Sequence, residues 1–134
     1  MISLSLETRE RVALIDVTAL VEKAVETSGL QEGAALVYCP HTTAGLTVNE
    51  HADPSVRRDI AMALARLVPS DLPFAHLEGN SDAHVKASLM GCSVMVPVEG
   101  GRLALGTWQG VYFAEFDGPR RRHLIVQPLA GAHS

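Results

Sequence analysis

The spacing of apolar and polar residues in the first fifty positions predicts strands and one helix. Residues 2–6 alternate between the two classes and residues 11–17 are β-rich, so each segment is predicted as a strand. Across residues 17–25, apolar side chains recur at i, i+3, i+4, i+7 and i+8, the pattern of an amphipathic helix. Short apolar runs at 34–39 and 45–49 predict two further strands.

Capping residues indicate where the helices begin and end. Asp16 or Thr18 can cap the first helix, and Gly29 can end it. Asp53 followed by Pro54 is a typical helix start, because Asp serves as the N-cap and Pro fits the first helical position. The buried stripe predicted for this second helix consists of Val56, Ile60, Ala63, Leu64 and Leu67.

The rest of the chain contains one more predicted helix, followed only by strands. A loop over 68–77 with two prolines leads into a short helix predicted from Ser81 to Gly91. The four strands predicted after it are residues 93–98, 102–105, 107–116 and 123–127. The order β-β-α-β-β-α-α-β-β-β-β predicts an α+β fold. We expect a compact single domain over residues 1–134, mostly an antiparallel, β-sandwich-like sheet with two to three helices packed against it.

Composition narrows the class of protein without indicating a reaction. Of the 134 residues, 47% are hydrophobic and 19% are charged, a balance typical of globular domains. The net charge of −4 and the lack of a long basic run argue against nucleic acid as a partner. Neither a leader-like N-terminus nor an apolar run of ~20 residues is evident, so we expect a cytoplasmic protein without a membrane partner. Cys39 and Cys92 both lie in apolar stretches and are expected to be buried.

The first segment with candidate chemistry is PHTTAGLTVNEHAD, residues 40–53. If the strands on either side of His41 pair as a hairpin, His41 lies at the turn and Glu50 at the far end. The two side chains would then not touch within one chain. His41 suits an active-site loop as well as it suits a turn. His51 and Asp53 are more simply explained as a loop residue and a helix cap.

The second segment, HLEGNSDAHVKA at 76–87, concentrates acids, amides and imidazoles. In an extended chain every second residue from His76 to His84 would share one face. Imidazole with carboxylate is the usual ligand set for Zn²⁺ or a similar ion. The alternative is an exposed loop that leads into a helix, with Asp82 and Lys86 as a surface ion pair. The spacing matches neither HExxH nor an EF-hand.

The third segment is GTWQGVYFAEFDGPRRR, residues 106–122. Trp108 is most simply explained as a core residue. Glu115 lies between apolar neighbours, and its carboxylate would have a raised pKa unless a cation or a hydrogen-bond donor met it. Arg120 begins the only basic cluster, which is long enough to hold a phosphate, although a solvated arginine is the alternative.

Together the strings HTTAGLTVNE, HLEGNSDAHVKASLMG and GRLALGTWQGVYFAEFDGPR resemble the YjbQ family, small proteins often described as secondary thiamine-phosphate synthases. The similarity covers essentially the full chain, and the three blocks appear in order. The resemblance implies a compact α+β domain with a β-sandwich-like core, assembled as a homotrimer. It also implies a pocket of polar motif residues near a subunit boundary, with a bound metal.

The resemblance implies three groups of site residues in this chain. The catalytic candidates, which would hold a cation, act as acid or base, or orient the substrate, are Glu78, Asp82, Glu115 and Asn80. The substrate-binding candidates are Thr43, Asn49, Lys86, Thr107, Gln109 and Arg120. The metal-binding candidates are His41, His76 and His84, and Glu50 is a further member of the first block.

The implied function is thiamine-phosphate synthesis, in which hydroxymethylpyrimidine diphosphate is coupled to a thiazole phosphate and pyrophosphate is released. A divalent cation is the implied cofactor. Carboxylates suit Mg²⁺ or Mn²⁺, whereas an imidazole-rich set suits Zn²⁺ better. Two alternatives stay open: metal-dependent hydrolysis of another small substrate, and non-catalytic binding of a small anion or metabolite. The expected partners are a small phosphorylated substrate and two further copies of the chain.

Overall fold

The computed structural model describes residues 1–132 and has the element order that the sequence predicts. The strands are Ile2–Glu7 (β1), Ala13–Asp16 (β2), Gly33–Tyr38 (β3), Ala44–Glu50 (β4), Ser93–Glu99 (β5), Arg102–Leu103 (β6), Gln109–Glu115 (β7) and Arg121–Ala130 (β8). The helices are Thr18–Ser28 (α1), Pro54–Leu67 (α2) and Ser81–Met90 (α3). Residues 133 and 134, which the predicted domain includes, lie outside the described residues.

Two antiparallel sheets enclose the main core. One sheet has the strand order β1-β8-β3-β5-β6 and the other has the order β2-β7-β4. Apolar side chains from both sheets and from α1 meet between them, among them Val37, Leu124 and Phe113. The predicted α+β fold with an antiparallel, sandwich-like arrangement is confirmed.

Strand β7 is apolar on both faces because it lies between two cores. Val111 and Phe113 belong to the core between the sheets, whereas Tyr112 and Ala114 belong to a second cluster that α2 and α3 cover. Side chains alternate along a strand, so a strand that is buried on both faces is a nearly continuous apolar run. Glu115 continues the face of Val111 and Phe113 and is fully buried.

The predicted caps at Gly29 and Asp53 are confirmed. The N-cap of α1, however, is Val17, one residue after Asp16, and the Val17 side chain makes no capping hydrogen bond. The Asp16 side chain accepts a hydrogen bond from the Thr18 N–H at 3.0 Å, and Gly29 ends α1 with a φ of 75°. At α2, the Asp53 side chain accepts a hydrogen bond from the Ser55 N–H at 2.9 Å. In the described part of the chain, no helix is long and apolar enough to cross a lipid bilayer.

The buried stripe predicted for α2 is wrong. None of its residues is buried: Ile60 and Leu64 are only partly covered by the second cluster, and Leu67 is 73% exposed. The reason is that α2 lies on the outer side of the smaller sheet and packs through one face against this small cluster. The periodicity therefore indicated the helix correctly but overstated its burial.

The structure decides the open question of the hairpin and corrects two further expectations. Strands β3 and β4 belong to different sheets, so they form no hairpin, and His41 lies on a connection between the sheets. Trp108 is 63% exposed because it lies in the turn before β7, outside the paired strand. Cys39 is buried as expected, but Cys92 is exposed because it follows the end of α3 and precedes β5.

Gly45 lies too close to the backbone of Gly91 to carry a side chain. A Cβ at Gly45 would lie 2.6 Å from the Gly91 carbonyl oxygen, which also accepts a hydrogen bond from the Leu46 N–H at 3.0 Å. We expect Gly45→Ala to lower the free energy of unfolding by about 1–3 kcal/mol, measured by urea denaturation. Gly106→Ala is the control, since its Cβ would meet only the Gln109 side chain, at 3.3 Å. Equal losses in the two variants would contradict this packing argument.

Candidate functional site

A polar cavity of about 370 Å³ lies where the β3–β4 connection, the start of α3 and the β7–β8 connection meet. Its lining residues are Pro40, His41, Thr42, Thr43, Glu78, Asn80, His84, Asp117, Arg120 and Arg122. All three sequence blocks of the predicted site therefore contribute to one cavity. A larger cavity of about 730 Å³ lies between β2 and α2, but it contains none of the predicted site residues.

A buried arginine forms one wall of this polar cavity. The Arg122 side chain is 3% exposed. Its Nε donates a hydrogen bond to Oε1 of Glu115 at 2.8 Å, and its Nη2 donates to Oε2 of Glu115 and to Oγ1 of Thr43 at 2.9 Å. Among residues 1–132, Nη1 has no hydrogen-bond partner. Because Arg122 lines the cavity, Nη1 is the donor that it can offer to a bound molecule.

Glu115 lies behind Arg122 and holds it in place. The Thr8 hydroxyl donates a hydrogen bond to Oε1 of Glu115 at 2.7 Å, and the Asp117 N–H donates to Oε2 at 3.0 Å. Burial alone would raise the pKa of Glu115, but the hydrogen bonds from Arg122, Thr8 and the Asp117 N–H hold it below the ordinary value of 4.5. Arg122 is thus the cation that the sequence analysis expected beside a buried Glu115 carboxylate. Glu115 does not itself line the cavity.

His41 forms another part of the wall, and one of its ring nitrogens is already occupied. The backbone N–H of His123 donates a hydrogen bond to Nε2 of His41 at 2.9 Å. Desolvation and the positive charge of Arg122 hold the pKa of His41 below its ordinary value of 6.5. The ring is therefore neutral at pH 7. It stacks on the His123 ring with a centroid separation of 6.3 Å.

Polar contacts at the start of α3 connect the second sequence block to the third. Asn80 Nδ2 donates a hydrogen bond to Oδ2 of Asp117 at 2.9 Å, and the same oxygen lies 3.1 Å from Nη2 of Arg120. Asn80 Oδ1 is buried and has no hydrogen-bond partner in the described chain. Asp117 therefore orients two side chains of the cavity, while Asn80 keeps an unused acceptor.

His84 belongs to two adjoining cavities. The second cavity, about 530 Å³, shares His41, Thr42 and His84 with the first and extends along α3 to Gly91 and Cys92. Its other lining residues are small: Ala44, Ala87 and Ser88. Together the two cavities form a groove with a charged end and a less polar end.

His76 lines neither cavity but contacts the imidazole that does. Its ring stands edge-on to the His84 ring at a centroid separation of 5.5 Å, and its Nε2 lies 3.8 Å from Oε2 of Glu78. The side chains of His76 and Glu78 are 45% and 75% exposed. His76 is thus a solvent-facing neighbour of the site.

The three predicted metal ligands do not form a metal site within one chain. Nε2 of His41 already accepts a hydrogen bond from a backbone N–H. Within residues 1–132, no group of three His, Cys, Asp or Glu side chains is arranged to hold a metal ion. The cavity does offer the carboxylates of Glu78 and Asp117. Mg²⁺ is commonly held by one or two carboxylates together with substrate phosphates. The residues therefore fit Mg²⁺ that arrives with a phosphorylated substrate better than a resident Zn²⁺.

Asp82 and Lys86 also lie outside the cavity lining. They form the predicted pair four residues apart, with 3.0 Å between Nζ and Oδ2, but their side chains are only 1% and 4% exposed. Arg11 adds a hydrogen bond from Nη2 to Oδ1 of Asp82 at 3.0 Å. Burial alone would raise the pKa of Asp82, but the hydrogen bonds from Arg11 and Lys86 hold it below 3.8. The expected surface pair is thus a buried network that anchors α3 to the segment before β2.

Three predicted substrate-binding residues, Asn49, Thr107 and Gln109, lie at the opposite end of the smaller sheet. In the β4–β7 ladder, Ala44 is opposite Glu115 and Glu50 is opposite Gln109. Six steps of about 3.3 Å separate the two ends of this ladder, or roughly 20 Å. A single chain therefore does not bring these three residues to the cavity.

Two charged residues of the cavity, Asp117 and Arg122, were not among the predicted site residues. In the sequence, Asp117 is followed by Gly118 and Pro119, a combination typical of a turn, which gives no sign of a role in a site. Arg122 was treated as part of a basic cluster, although it shares strand parity with the buried residues Leu124 and Val126. An arginine on the buried face of a strand needs an acidic partner, and this signal was available in the sequence.

Comparisons with known proteins identify the family of this chain. The family described as "UPF0047 protein YjbQ-like" matches residues 2–131. The chain belongs to the YjbQ-like UPF0047 family. A UPF0047 protein of Methanocaldococcus jannaschii is 52% identical over 91% of this chain and 88% of its own length. The UPF0047 protein YugU of Bacillus subtilis is 50% identical over 95% of this chain and 97% of its own length.

The fold of this YjbQ-like chain is also found in solved structures of the family. A crystal structure of an uncharacterized YjbQ/UPF0047 protein from Clostridium acetobutylicum has a TM-score of 0.94 and 53% identity, covering 96% of this chain and all of that one. A YjbQ-like protein of unknown function from Sulfolobus solfataricus has a TM-score of 0.92 at 32% identity, covering 97% of this chain and 96% of that one. The arrangement of sheets is therefore shared across the family at low sequence identity.

Removing the charge of Glu115 should destabilise the fold in a pH-dependent way. Glu115→Gln leaves Arg122 buried without a counter-charge, and we expect a loss of about 3–5 kcal/mol of unfolding free energy at pH 7. The pKa of Glu115 is lowered by folding, so its stabilisation is present above 4.5 and is lost as the pH falls through the folded-state pKa. The difference between wild type and variant should therefore shrink on acidification, measured by chemical denaturation at pH 7 and pH 3.

The control for this prediction is Glu78→Gln. Glu78 also faces the cavity, but its side chain is 75% exposed and it lies outside the buried network. We expect this variant to unfold like the wild type at both pH values. A difference between wild type and Glu115→Gln that stays constant from pH 7 to pH 3 would contradict the lowered pKa.

Proposed function

We propose that the protein is a thiamine-phosphate synthase-like transferase that binds phosphorylated substrates in the polar cavity. The observation that carries this proposal is the buried guanidinium of Arg122, whose Nη1 lacks a partner among the described residues while Arg122 lines the cavity. A planar guanidinium is well suited to phosphate oxygens, and partial desolvation strengthens such a charge-assisted hydrogen bond. Arg120 adds a second guanidinium to the same wall.

The groove has room for two substrate parts of different polarity. The charged end, with Arg120 and Arg122, suits a diphosphate. The adjoining cavity beside Ala44 and Ala87 suits a small ring, because its lining is less polar and its side chains are short. This division supports a substrate that joins a ring to phosphate groups.

In the proposed reaction, the thiazole nitrogen attacks the exocyclic CH₂ of the pyrimidine. The new C–N bond forms as the C–O bond to the diphosphate breaks, and the bonding electrons leave with pyrophosphate. The arginines stabilise the negative charge that develops on the leaving group. Glu78, the accessible carboxylate of the cavity, would hold a Mg²⁺ ion bound to the diphosphate substrate, and such an ion would help to neutralise the leaving group.

Self-association as a homotrimer, with a cytoplasmic location, completes the proposal. The outer face of the larger sheet has apolar side chains in register across three strands: Leu36 is opposite Met95 in β5, and Tyr38 is opposite Ile125 in β8. Met95 is 61% exposed and Tyr38 is 42% exposed. Polar residues also lie on this face, since Gln127 is opposite Leu36 and Ser93 is opposite Tyr38. A group of exposed apolar side chains with a few polar neighbours suits a protein–protein interface.

Arg120→Gln tests the assignment of the phosphate end. We expect it to weaken the binding of magnesium pyrophosphate by about tenfold or more, measured by isothermal titration calorimetry, because a charge-assisted hydrogen bond is lost. Formation of thiamine phosphate from the two phosphorylated substrates should fall with it. The Arg120 side chain is 50% exposed, so we expect unchanged unfolding.

The matched control is Arg121→Gln, which removes the neighbouring charge. Arg121 is exposed, pairs with Glu7 in the β1–β8 ladder and does not line the cavity. Equal weakening in the two variants would mean that only net charge matters. Pyrophosphate binding without turnover would favour the non-catalytic module, and release of phosphate without coupling would favour the hydrolase.

A charge on the outer sheet face should break the proposed trimer. We expect Met95→Lys to convert a trimer into monomers in light scattering, because it places an ammonium group among these exposed apolar side chains. Leu89→Lys is the control, since Leu89 is equally exposed at 62% but lies on α3. Dissociation by Leu89→Lys alone would move the interface to the helical side.

A further inference from the structure

The hydrogen bond between His123 and His41 fixes the protonation pattern of a cavity imidazole. The donor is the backbone N–H of His123, which cannot act as an acceptor, and the acceptor is Nε2 of His41, 2.9 Å away. Nε2 must therefore present its lone pair. In a neutral imidazole the proton then lies on Nδ1. The tautomer of His41 is therefore assigned from a backbone N–H, which can only donate, and not from a side chain that could either donate or accept.

Nδ1 is the part of His41 that remains free for a ligand. Among residues 1–132, Nδ1 makes no hydrogen bond, and His41 lines both adjoining cavities. The ring also lies near the His123 and Phe113 rings, at centroid separations of 6.3 Å and 6.5 Å. The hydrogen bond from the His123 N–H is the contact that orients the imidazole.

The charges around His41 favour its neutral form. Arg122 and His123 oppose a positive charge on the ring, and Glu115, which would favour one, is engaged by Arg122. Acceptance of a backbone hydrogen bond at Nε2 acts in the same direction, because a protonated Nε2 would face the His123 N–H. A neutral ring in this orientation is a hydrogen-bond donor at Nδ1 and has no lone pair free for a metal.

We propose that His41 is a neutral hydrogen-bond donor that binds an anionic oxygen of the ligand through Nδ1–H, beside Nη1 of Arg122, and is not a metal ligand. The inference rests on the proposed function for the presence of an anionic ligand in this cavity. It departs from the expectation that His41, His76 and His84 form a metal-binding set. The ligand class is a phosphate or diphosphate group, since Arg122 and His41 line the same cavity and each has an unused donor.

The first measurement concerns the wild-type protein and needs no ligand. Long-range ¹H–¹⁵N correlation spectra at pH 7.5 distinguish the two neutral tautomers of each histidine. We expect the resonances of His41 to show a protonated Nδ1 and an unprotonated Nε2. The opposite tautomer would overturn the proposal. Addition of Zn²⁺ should leave these His41 signals in place, and their loss at stoichiometric Zn²⁺ would also overturn it.

Two substitutions separate the roles of the two ring nitrogens. In His41→Asn the side-chain amide reaches the position of Nδ1 and can donate there. In His41→Gln the amide reaches the position of Nε2, where it can accept from the His123 N–H but leaves no donor at Nδ1. We expect inorganic phosphate to bind His41→Asn within about threefold of wild type and His41→Gln at least about tenfold more weakly, measured by calorimetry.

The control is His123→Ala, which removes a ring but keeps the backbone N–H that orients His41. We expect phosphate binding and the His41 tautomer to be unchanged in it. If both His41 variants bind phosphate like the wild type, the donor role is wrong. It is also wrong if both variants lose Zn²⁺ binding but keep phosphate binding. In either case the proposed function stands. If wild type binds neither phosphate nor pyrophosphate, the proposed function fails, and the donor role fails with it.

Discussion

The ion pair between Glu115 and Arg122 joins the two sheets at the edge of the core. Glu115 ends β7 in the smaller sheet, and Arg122 is the second residue of β8 in the larger one. Both side chains are almost fully buried, and a buried carboxylate or guanidinium without its partner is costly. Thr8, Thr43 and the Asp117 N–H add further hydrogen bonds to the pair. The strand ends are therefore held together at one place, and the cavity lies directly beside it.

The same network determines which groups of the cavity remain available. Glu115 uses both oxygens inside the protein, and Asp117 is shared between Asn80 and Arg120. The side chains left with unused capacity include donors on Arg122 and His41 and an acceptor on Asn80. Such a set of groups is suited to binding and orienting a ligand. It offers Glu78 as its only exposed carboxylate within the described lining.

The sequence predicted local features better than long-range ones. The caps at Gly29 and Asp53 were correct because each depends on neighbours within a few residues. Whether β3 and β4 pair could not be decided from the sequence, because β3 pairs with β5 and β8, and β4 pairs with β7, through contacts far apart in the chain. The resemblance supplied much of the cavity lining. The role of Arg122 required knowing that β7 and β8 lie in different sheets and face each other across the core.

Helix α2 has a consequence for how the molecule opens. None of its residues is fully buried, so its release uncovers only part of the second cluster, whereas β7 cannot leave without dismantling both cores. Local fluctuations that release only α2 therefore cost much less free energy than global unfolding. Its amide protons should exchange with solvent long before those of β7. Evolution and engineering can accordingly alter the outer surface of α2 while the strand ends beside the cavity stay in place.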